Sequence, residues 1–412
     1  MRIGEEAFRP LAELGVRQGV NLQPGQTLVV MTDPDNVGPA RAIVRAAYEA
    51  GARHVHVLFQ DQIIARTRME LAPEDSLTEY PAWLAAAFIQ EAEAGAAFLT
   101  ISSGDPDAFQ GVDPARITTV QRTAMKTLKP FADLQMADKV AWSIISSPSD
   151  AWAAKVFPDK SPEAAFDALW AQILKCSHAD GPDPAAAWKA HAETLNRRRA
   201  WLDEIHIESL HFKSSGTDLT IHLPKTHKWG CTGQRQPGGH STAPNIPTEE
   251  VFTLAQRDAV EGTVRSTRTL HHAGQTIDGM CFTFEDGRVV EAHADVGEEA
   301  LRAMLETDDG AGRLGEVALV PKDSPIAASG IEFHNTLYDE NASCHLAFGR
   351  AYAVCLKDGD AISSDEDMIA RGGNMSLVHV DFMVGSGDLD ITARTTSGAT
   401  VPVFRDGTWA SA

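Results

Sequence analysis

The sequence predicts an α/β N-terminal domain, with a mostly parallel sheet covered by helices, and an α+β, β-rich C-terminal domain. Two patterns along the 412 residues predict this organisation. In the first half, apolar β-rich runs alternate with helical stretches, which is the pattern of βαβ units. In the second half, short alternating runs are separated by Gly-containing turns, which is typical of antiparallel strands. The length allows two hydrophobic cores, because a single core stops growing near roughly 250–300 residues.

The first half is predicted to alternate strands and helices. The strands are expected at residues 27–32, 55–59, 97–101 and 140–145. The helices are expected at about residues 5–20, 39–51, 81–94 and 117–132. In the second of these helices, apolar residues recur at helical spacing up to Gly51, and glycine commonly follows the last turn of a helix.

The texture of the chain changes near residue 200. Residues 149–199 are Ala-rich and helical in pattern, and Pro162 and Pro184 occupy good first-turn positions. After this stretch the chain becomes β-rich. We therefore predict an α/β N-terminal domain with a helical linker region over residues 1–190 and a β-rich catalytic domain over residues 191–412. The first domain is expected to be a scaffold, because the turn after its first strand has neither GxGxxG nor GxxxxGK[ST].

Composition excludes several classes of partner. The chain has 36 Lys+Arg against 57 Asp+Glu, a net charge of −21, which disfavours nucleic acid because phosphate neutralisation supplies most such affinity. The five cysteines are widely spaced without a CxxC motif, which indicates free thiols in a reducing compartment. No window resembles a signal peptide or a membrane span. We expect a cytoplasmic protein with no membrane partner.

Residues that suit metal binding are scattered through the last third of the chain, each in a short apolar or Gly-containing segment. They are Glu250, Glu316, Glu340, His345, His379 and Asp381. Oxygen and imidazole ligands suit Zn²⁺, Mn²⁺ or Co²⁺, and two adjacent ions need shared carboxylates. The chain is therefore a candidate metalloenzyme, although it has no HExxH motif.

The strongest single signal is the pair His379 and Asp381 in the segment LVHVDFMVGSGDLDI. In a strand, these two residues point to one face, while Val378, Val380 and Phe382 point to the other. A carboxylate on an otherwise apolar strand needs a partner, because an unpaired buried charge costs several kcal/mol or is neutralised. A metal ion would be such a partner.

Two further carboxylate segments have ordinary explanations as well. In NIPTEEVFT, the pair Glu249 and Glu250 precedes a β-rich run, and a lone pair of this kind is often a solvated turn. The sequence pattern does not say which of the two would bind metal. In GRLGEVALVP, Glu316 opens a strand directly after a glycine, and a single carboxylate in such a place is most often an ordinary edge residue.

The densest segment is NTLYDENASCHLAFGRAY, at residues 335–352. It places Glu340 five residues before His345 and Tyr352 seven residues after it. A histidine in an apolar run is more often a hydrogen-bonded core residue than a ligand. Strand alternation would turn the thiol of Cys344 to the face opposite His345, so Cys344 is expected in the core.

Seven segments, in order, resemble the aminopeptidase T / aminopeptidase S family of metallopeptidases, also called the thermophilic aminopeptidase family. They are NLQPGQTLVV, AYEAGARHVHV, NIPTEEVFT, EGTVRSTR, GRLGEVALVP, NTLYDENASCHLAFGRAY and HVDFMVGSGDLDI. The resemblance spans nearly the whole chain. It implies a cytoplasmic, homodimeric metallo-aminopeptidase, an exopeptidase that hydrolyses the N-terminal residue from peptides with a free N-terminus.

The resemblance also implies a site with two divalent metal ions per chain, which would be Zn, Co or Mn. Matched position by position, its ligands are Glu250, Glu316, His345, His379 and Asp381. The family pattern also selects Glu250 over Glu249. It places Glu340 near the metals, as a ligand or a general base, and Tyr352 beside the site.

The resemblance and the residue chemistry together suggest a mechanism. Glu316 would bridge the two ions, and either Glu316 or Glu340 would carry the proton of the attacking water. Tyr352 would donate a hydrogen bond to the developing oxyanion.

The main alternative is a mononuclear iron ring-cleaving dioxygenase of the dihydroxypyridine type, an enzyme class that resembles this peptidase family. Its two-His-one-carboxylate site would need only His345, His379 and Asp381. The two enzymes therefore differ in whether Glu250 and Glu316 are also metal ligands. A non-catalytic metal-binding dimer is a third possibility.

Overall fold

In the computed structural model, the strands predicted in the first half form one parallel sheet. The structure describes residues 2–235, 239–272 and 275–410. The helices, numbered in chain order, are α1 (Glu5–Leu14), α2 (Val37–Glu49), α3 (Gln62–Leu71), α4 (Ala82–Glu93), α5 (Pro114–Met136), α6 (Asp150–Val156), α7 (Pro162–Cys176), α8 (Pro184–Glu204), α9 (Glu298–Leu305), α10 (Pro325–Ser329), α11 (Thr336–Asp339) and α12 (Asp365–Ala370). The strands are β1 (Thr27–Thr32), β2 (His54–Phe59), β3 (Ala97–Ser102), β4 (Trp142–Ser146), β5 (Ile207–Ser214), β6 (Thr217–His222), β7 (Gln234–Arg235), β8 (Ser241–Thr242), β9 (Val251–Thr253), β10 (Val260–Arg265), β11 (Leu270–His272), β12 (Gln275–Ile277), β13 (Cys281–Glu285), β14 (Arg288–His293), β15 (Leu314–Leu319), β16 (His345–Gly349), β17 (His379–Met383), β18 (Asp390–Thr395), β19 (Thr400–Arg405) and β20 (Thr408–Trp409).

The chain folds into two compact units, each made of three segments. The first unit comprises Met1–Ala192, Thr232–Thr248 and Glu332–Asn335. The second unit comprises Glu193–Cys231, Glu249–Ile331 and Thr336–Ala412. All six predicted metal ligands belong to the second unit.

The first unit is built on the sheet β2-β1-β3-β4, in which all three strand pairs are parallel. The inner strand β1 is apolar between its terminal threonines, and Leu28, Val29 and Val30 are buried. Continuous apolar runs of this kind are typical of parallel strands covered on both faces. The prediction of a parallel sheet with helices is confirmed.

Two helical regions of the first unit differ from the sequence prediction. The helix expected at residues 5–20 is α-helical only to Leu14, and Gly15–Gly19 forms a π-helical turn. A Cβ atom at Gly15 would lie 3.2 Å from the side chain of Ile145, so glycine allows this turn to approach the sheet closely. Helix α3 was not predicted, because Met69 is its one buried residue and the helix therefore lacks an apolar stripe.

The second unit contains antiparallel sheets, as the second half of the sequence predicts. One has eight strands in the order β14-β13-β10-β6-β5-β18-β19-β20, another has four in the order β17-β16-β15-β9, and β11 pairs with β12. The eight-stranded and the four-stranded sheet share a core, in which the ring of Phe348 lies 4.9 Å from that of Phe282 and 4.7 Å from that of Phe382. Strands β15, β16 and β17 of the four-stranded antiparallel sheet carry Glu316, His345, His379 and Asp381.

Within the part of the chain that the structure describes, no helix combines the length and the apolar character needed to cross a membrane.

Candidate metal centre

The candidate centre lies on one face of the four-stranded antiparallel sheet β17-β16-β15-β9. In an antiparallel pair, opposed residues point to the same face, and alternate residues along a strand share it. The register pairs Glu316 with Ala347, Ala347 with Asp381, Ala318 with His345, and Gly349 with His379. The predicted ligands of β15, β16 and β17 therefore share one face, and the residues between them are small. Glu250 immediately precedes β9, which pairs with the other edge of β15.

The opposite face of this sheet packs into the core of the second unit. Its side chains include Val251, Val317, Leu346, Phe348, Val380 and Phe382. The alternation predicted for the strand of His379 and Asp381 is therefore present, with polar residues on one face and apolar residues on the other. The packed core holds the sheet in place, and the sheet in turn positions the predicted ligands.

A β-bulge at the start of β15 directs Glu316 to this face. The register shifts between Leu314 and Glu316, so that Gly315 is the extra residue of the bulge. A Cβ atom at Gly315 would lie 2.4 Å from the carbonyl oxygen of Gly349 and 2.6 Å from that of Arg350. Only glycine fits here, and bulges of this kind redirect side chains beside active sites.

The donor atoms form two groups that share Glu316. In the first group, His345 Nε2 lies 3.3 Å from Glu250 Oε2 and 3.6 Å from Glu316 Oε1. In the second group, His379 Nε2 lies 3.8 Å from Glu316 Oε2 and 3.5 Å from Asp381 Oδ1. The two oxygens of one carboxylate thus face two different imidazoles.

These separations suit divalent cations. Ligand atoms bound at 2.0–2.1 Å to one tetrahedral ion lie about 3.3–3.4 Å apart, close to the distances of both groups. Donor atoms of Glu250, Glu316 and His345 all lie within 4.8 Å of one another. The donor set of oxygen and imidazole nitrogen matches Zn²⁺, Co²⁺ or Mn²⁺.

Both histidines present the nitrogen that a metal would need. The Nδ1 atom of His379 donates to the carbonyl of Arg350 at 2.7 Å, and that of His345 donates to the carbonyl of Ser343 at 3.2 Å. Because a carbonyl oxygen only accepts, each neutral ring carries its proton on Nδ1. The lone pair of Nε2 then points to the carboxylates, which is the usual support of a ligating histidine.

Without a cation, burial and mutual repulsion disfavour the charged forms of the carboxylates in the centre. Burial raises the pKa of Glu316 above its usual value, and the neighbouring Glu250 and Asp381 raise it further. Burial also raises the pKa of Glu340 well above its usual value, again with help from Asp381 and Glu250. Several carboxylates therefore compete for protons in a small buried volume.

Burial acts on the two histidines in the opposite direction, since it disfavours their charged form, but the neighbouring carboxylates outweigh it. Burial alone would lower the pKa of His379, but its hydrogen bond with Asp381 raises it to about 9. Burial likewise opposes the charged form of His345, yet hydrogen bonds with Glu250 and Glu316 raise its pKa well above the usual value. Protons on both rings compensate the negative charge of the acidic cluster, which consists of Glu250, Glu316, Glu340 and Asp381. A divalent cation would also fill this role.

Glu340 and Tyr352 lie beside the two groups. Glu340 begins the helical turn Glu340–Ala342, and its carboxyl interacts electrostatically with Asp381 and Glu250. The ring of Tyr352 lies 4.8 Å from that of His379. Burial raises the pKa of the Tyr352 hydroxyl well above its usual value, as do the nearby carboxylates, so this hydroxyl stays protonated and can donate.

Of the two acids that the sequence pattern left open, Glu250 faces His345 with its carboxylate. The backbone N–H of Glu249 donates to Asn341 Oδ1 at 2.8 Å. Cys344 is buried, and its thiol lies 3.3 Å from the backbone N and O atoms of Val320. Burial raises the pKa of this thiol to about 12, which disfavours the thiolate that a metal would need.

Sequence reasoning missed the residues that support the centre. Gly315 and Asn341 are the clearest cases, together with Ser343, whose carbonyl orients His345. The glycine before Glu316 was visible in the sequence, but a bulge depends on the partner strand. Asn341 carried no signal, because its three hydrogen-bond partners become apparent only in the folded chain.

Comparisons with known proteins identify a family model, similar sequences and a similar solved structure. The family model described as thermophilic metalloprotease (M29) matches residues 5–409. Aminopeptidase AmpS of Bacillus subtilis (strain 168) is 45% identical over 399 residues, which cover 97% of each chain. Aminopeptidase T of Thermus aquaticus is 42% identical over 404 residues, which cover 98% of each chain. The solved structure of wild-type AmpT from Thermus thermophilus is similar with a TM-score of 0.92 at 40% identity, covering 98% of both chains.

Proposed function

The chain belongs to the thermophilic metalloprotease family M29, and from this premise we propose that it removes the N-terminal residue of peptides at a centre of two divalent ions. Family membership and the aminopeptidase relatives establish a hydrolase that acts as an exopeptidase. A metalloprotease of this family uses divalent metal. The number of ions and the role of each residue are the proposal.

One observation carries the two-ion proposal, namely the position of Glu316. Its Oε1 atom faces His345 at 3.6 Å, and its Oε2 atom faces His379 at 3.8 Å. Each imidazole has a second carboxylate beside it, Glu250 for the first and Asp381 for the second. Two ligand groups that share one bridging carboxylate are the arrangement that two adjacent ions need.

We assign Glu250, His345 and Glu316 Oε1 to one ion, and Asp381, His379 and Glu316 Oε2 to the other. Ions bound there would acidify an attacking water and polarise the scissile carbonyl. Zn, Co and Mn all suit this donor set. All of these residues belong to the second unit, so we propose that the predicted C-terminal region, residues 191–412, carries the catalysis.

Glu340 is the better candidate for the proton carrier. Glu316 already faces both imidazoles, whereas the carboxyl of Glu340 interacts electrostatically with Asp381 and Glu250. Burial raises the pKa of Glu340, and a carboxyl beside the reacting groups is the kind of side chain that accepts and releases protons in catalysis. Glu340 would accept a proton from the attacking water and deliver it to the leaving amine.

Two further contacts with the substrate follow from the same geometry. The Tyr352 hydroxyl would donate a hydrogen bond to the oxyanion that forms at the scissile carbonyl. The free α-amine of the peptide is cationic, and a carboxylate of the acidic cluster would hold it. That contact would select peptides with a free N-terminus.

The ring-cleaving dioxygenase finds no support. Its mononuclear site would leave Glu250 and Glu316 without a role, yet both lie against His345. The curated relatives carry aminopeptidase names.

The Glu316→Gln variant tests the proposal, because glutamine keeps the shape of the side chain but removes its charge. We expect two ions per wild-type chain, measured by metal analysis on protein purified without chelator, and hydrolysis of aminoacyl-p-nitroanilides. Glu316→Gln should lose the hydrolysis and bind fewer ions while remaining folded. Glu285→Gln, at an exposed position of β13, should match the wild type. Near-full activity of Glu316→Gln with divalent metal, or one iron with oxygen uptake, would contradict the scheme.

A further inference from the structure

We propose that Asn341 is a positioning residue that fixes Glu250 and Glu340 relative to each other. The inference rests on the two-ion centre proposed above, in which Glu250 is a ligand and Glu340 carries the proton. It adds a residue that touches neither substrate nor metal, and that acts through its two acidic neighbours.

The side chain of Asn341 is fully buried and bonded at both ends. It has 0% exposure. Its Oδ1 atom accepts a hydrogen bond from the backbone N–H of Glu249 at 2.8 Å. Its Nδ2 atom donates to the carbonyl of Leu337 at 2.9 Å and contacts Glu340 Oε1 at 3.4 Å. One amide thus connects the residue before Glu250 with both the backbone and the carboxylate of the Glu340 segment.

Strand pairing does not join these two segments directly. Glu250 immediately precedes β9, and Glu340 lies shortly before β16. In the sheet, β9 and β16 pair with opposite edges of β15 and are not neighbours. The side chain of Asn341 therefore connects two chain segments that the ladder holds apart by a full strand.

The chemistry of the position favours an amide. Asn341 must accept from an N–H group and donate to a carbonyl at the same time, and an ionised carboxylate has no donor. A neutral side chain also adds no charge beside Glu250 and Glu340. An aliphatic side chain of similar size would leave the buried N–H of Glu249 without this acceptor.

Two substitutions separate the two connections. Asn341→Asp keeps the acceptor for Glu249 N–H but removes the donor to Glu340 and places a charge beside it. Asn341→Leu removes both connections. If Asn341 positions the two acids, the first variant should disturb mainly the proton carrier, and the second should disturb the metal ligand as well.

The test measures metal binding apart from turnover. Metal-free protein is titrated with Co²⁺ in a calorimeter, kcat and KM are determined on an aminoacyl-p-nitroanilide, and unfolding of the metal-free protein is followed by heat. For Asn341→Asp we expect kcat to fall at least about 10-fold, with KM changed less than about 2-fold. For Asn341→Leu we expect Co²⁺ affinity to fall about 10- to 100-fold, as for other residues that orient ligands.

A matched control is Asn36→Asp. Asn36 is also buried, and its Nδ2 donates to Thr32 Oγ1 and Ser103 Oγ within the first unit. This variant should lose thermal stability but keep the Co²⁺ affinity and kcat of its folded fraction. If Asn341→Leu does not fold, Asn341→Asp carries the test alone.

The outcomes distinguish this inference from the proposed function. If the Asn341 variants lose only thermal stability, as the control does, or change KM alone, Asn341 is merely structural and the inference is overturned. The two-ion proposal would still stand in that case, provided that Glu316→Gln loses activity. If Glu316→Gln keeps its activity, the proposed function itself fails.

Discussion

The carboxylate of Glu316 lies between two imidazoles, and its substitution therefore affects both halves of the centre at once. Each of its oxygens faces one ring, at 3.6 Å and 3.8 Å. Glu250 and Asp381 each approach a single ring. A variant of either outer acid should disturb one group, whereas a variant of Glu316 should disturb both.

At the same scale, Tyr352→Phe should slow catalysis without weakening substrate binding. The variant removes one hydroxyl, and a donor to an oxyanion contributes about 3 kcal/mol, or roughly 100-fold in kcat. Phenylalanine preserves the ring that lies 4.8 Å from His379, so metal content should stay at the wild-type value. Steady-state kinetics with parallel metal analysis checks this. An unchanged kcat would show that Tyr352 does not contact the oxyanion.

The raised pKa values of the two histidines predict how the stability of the metal-free protein depends on pH. The pKa of His379 is raised to about 9 in the folded chain, against about 6.5 when unfolded. Because folding raises this pKa, the stabilisation is fully present below pH 6.5 and is lost as the pH rises through about 9. His345, whose pKa is also raised, acts in the same direction. We therefore expect the Tm of chelator-treated protein to fall across this range.

The matched variants for this pH dependence are His379→Gln and His54→Gln. Glutamine at position 379 cannot titrate, so the fall in Tm should become smaller. His54 is exposed on β2, so His54→Gln should keep the wild-type slope. Thermal melts followed by circular dichroism supply the data. Equal slopes for all three proteins would mean that the His379 proton does not stabilise the fold.

At the scale of secondary structure, the bulge at Gly315 determines where Glu316 points. In Gly315→Ala, the new Cβ would meet the carbonyl oxygens of Gly349 and Arg350 at 2.4 Å and 2.6 Å. Strands β15 and β16 would have to move apart, and Glu316 would move with its strand. We expect lower thermal stability and much weaker Co²⁺ binding, measured by thermal melts and calorimetry.

The control for this prediction lies three residues earlier. A Cβ atom at Gly312 would meet its nearest atom, the carbonyl oxygen of Leu305, at 3.7 Å, which is an ordinary contact. Gly312→Ala should therefore bind Co²⁺ as the wild type does. If Gly315→Ala also bound the ion normally, the bulge would not be needed to aim Glu316.

The sequence predicts those elements whose signals are local. Alternation along one strand places His379 and Asp381 on one face, and apolar runs mark the four parallel strands. The approach of Glu250 and Glu316 to His345 depends on the register among three strands, which no local pattern contains. The family resemblance supplied that grouping. Neither the bulge at Gly315 nor the contacts of the Asn341 side chain were predicted. Helix α3 was missed for a related reason, since its signal was only the Asp61 cap on Ile63 and Ile64.

At the scale of the whole molecule, the residues that could bind the two proposed ions all belong to one of the two units. The second unit contains the acidic cluster, and burial raises the pKa of Glu316 and Glu340 there. The first unit rests on an apolar parallel sheet, with buried residues such as Leu28 and Val30 in its inner strand β1. The homodimer and the cytoplasmic location implied by the family resemblance stay predictions.

Removal of metal should therefore loosen one sheet and leave the other unchanged. Ligands that bind only the folded state stabilise it by RT ln(1 + [L]/Kd), about 4 kcal/mol at a thousandfold excess over Kd. Because the donor atoms lie on β15, β16 and β17 and just before β9, chelation should increase amide hydrogen exchange in these strands. Strands β1 to β4 should keep their protection, and added Zn²⁺ or Co²⁺ should restore that of the four-stranded sheet. Amide hydrogen exchange measured by mass spectrometry with and without chelator tests this. An equal increase of exchange in both sheets, or none in either, would contradict a metal centre confined to the second unit.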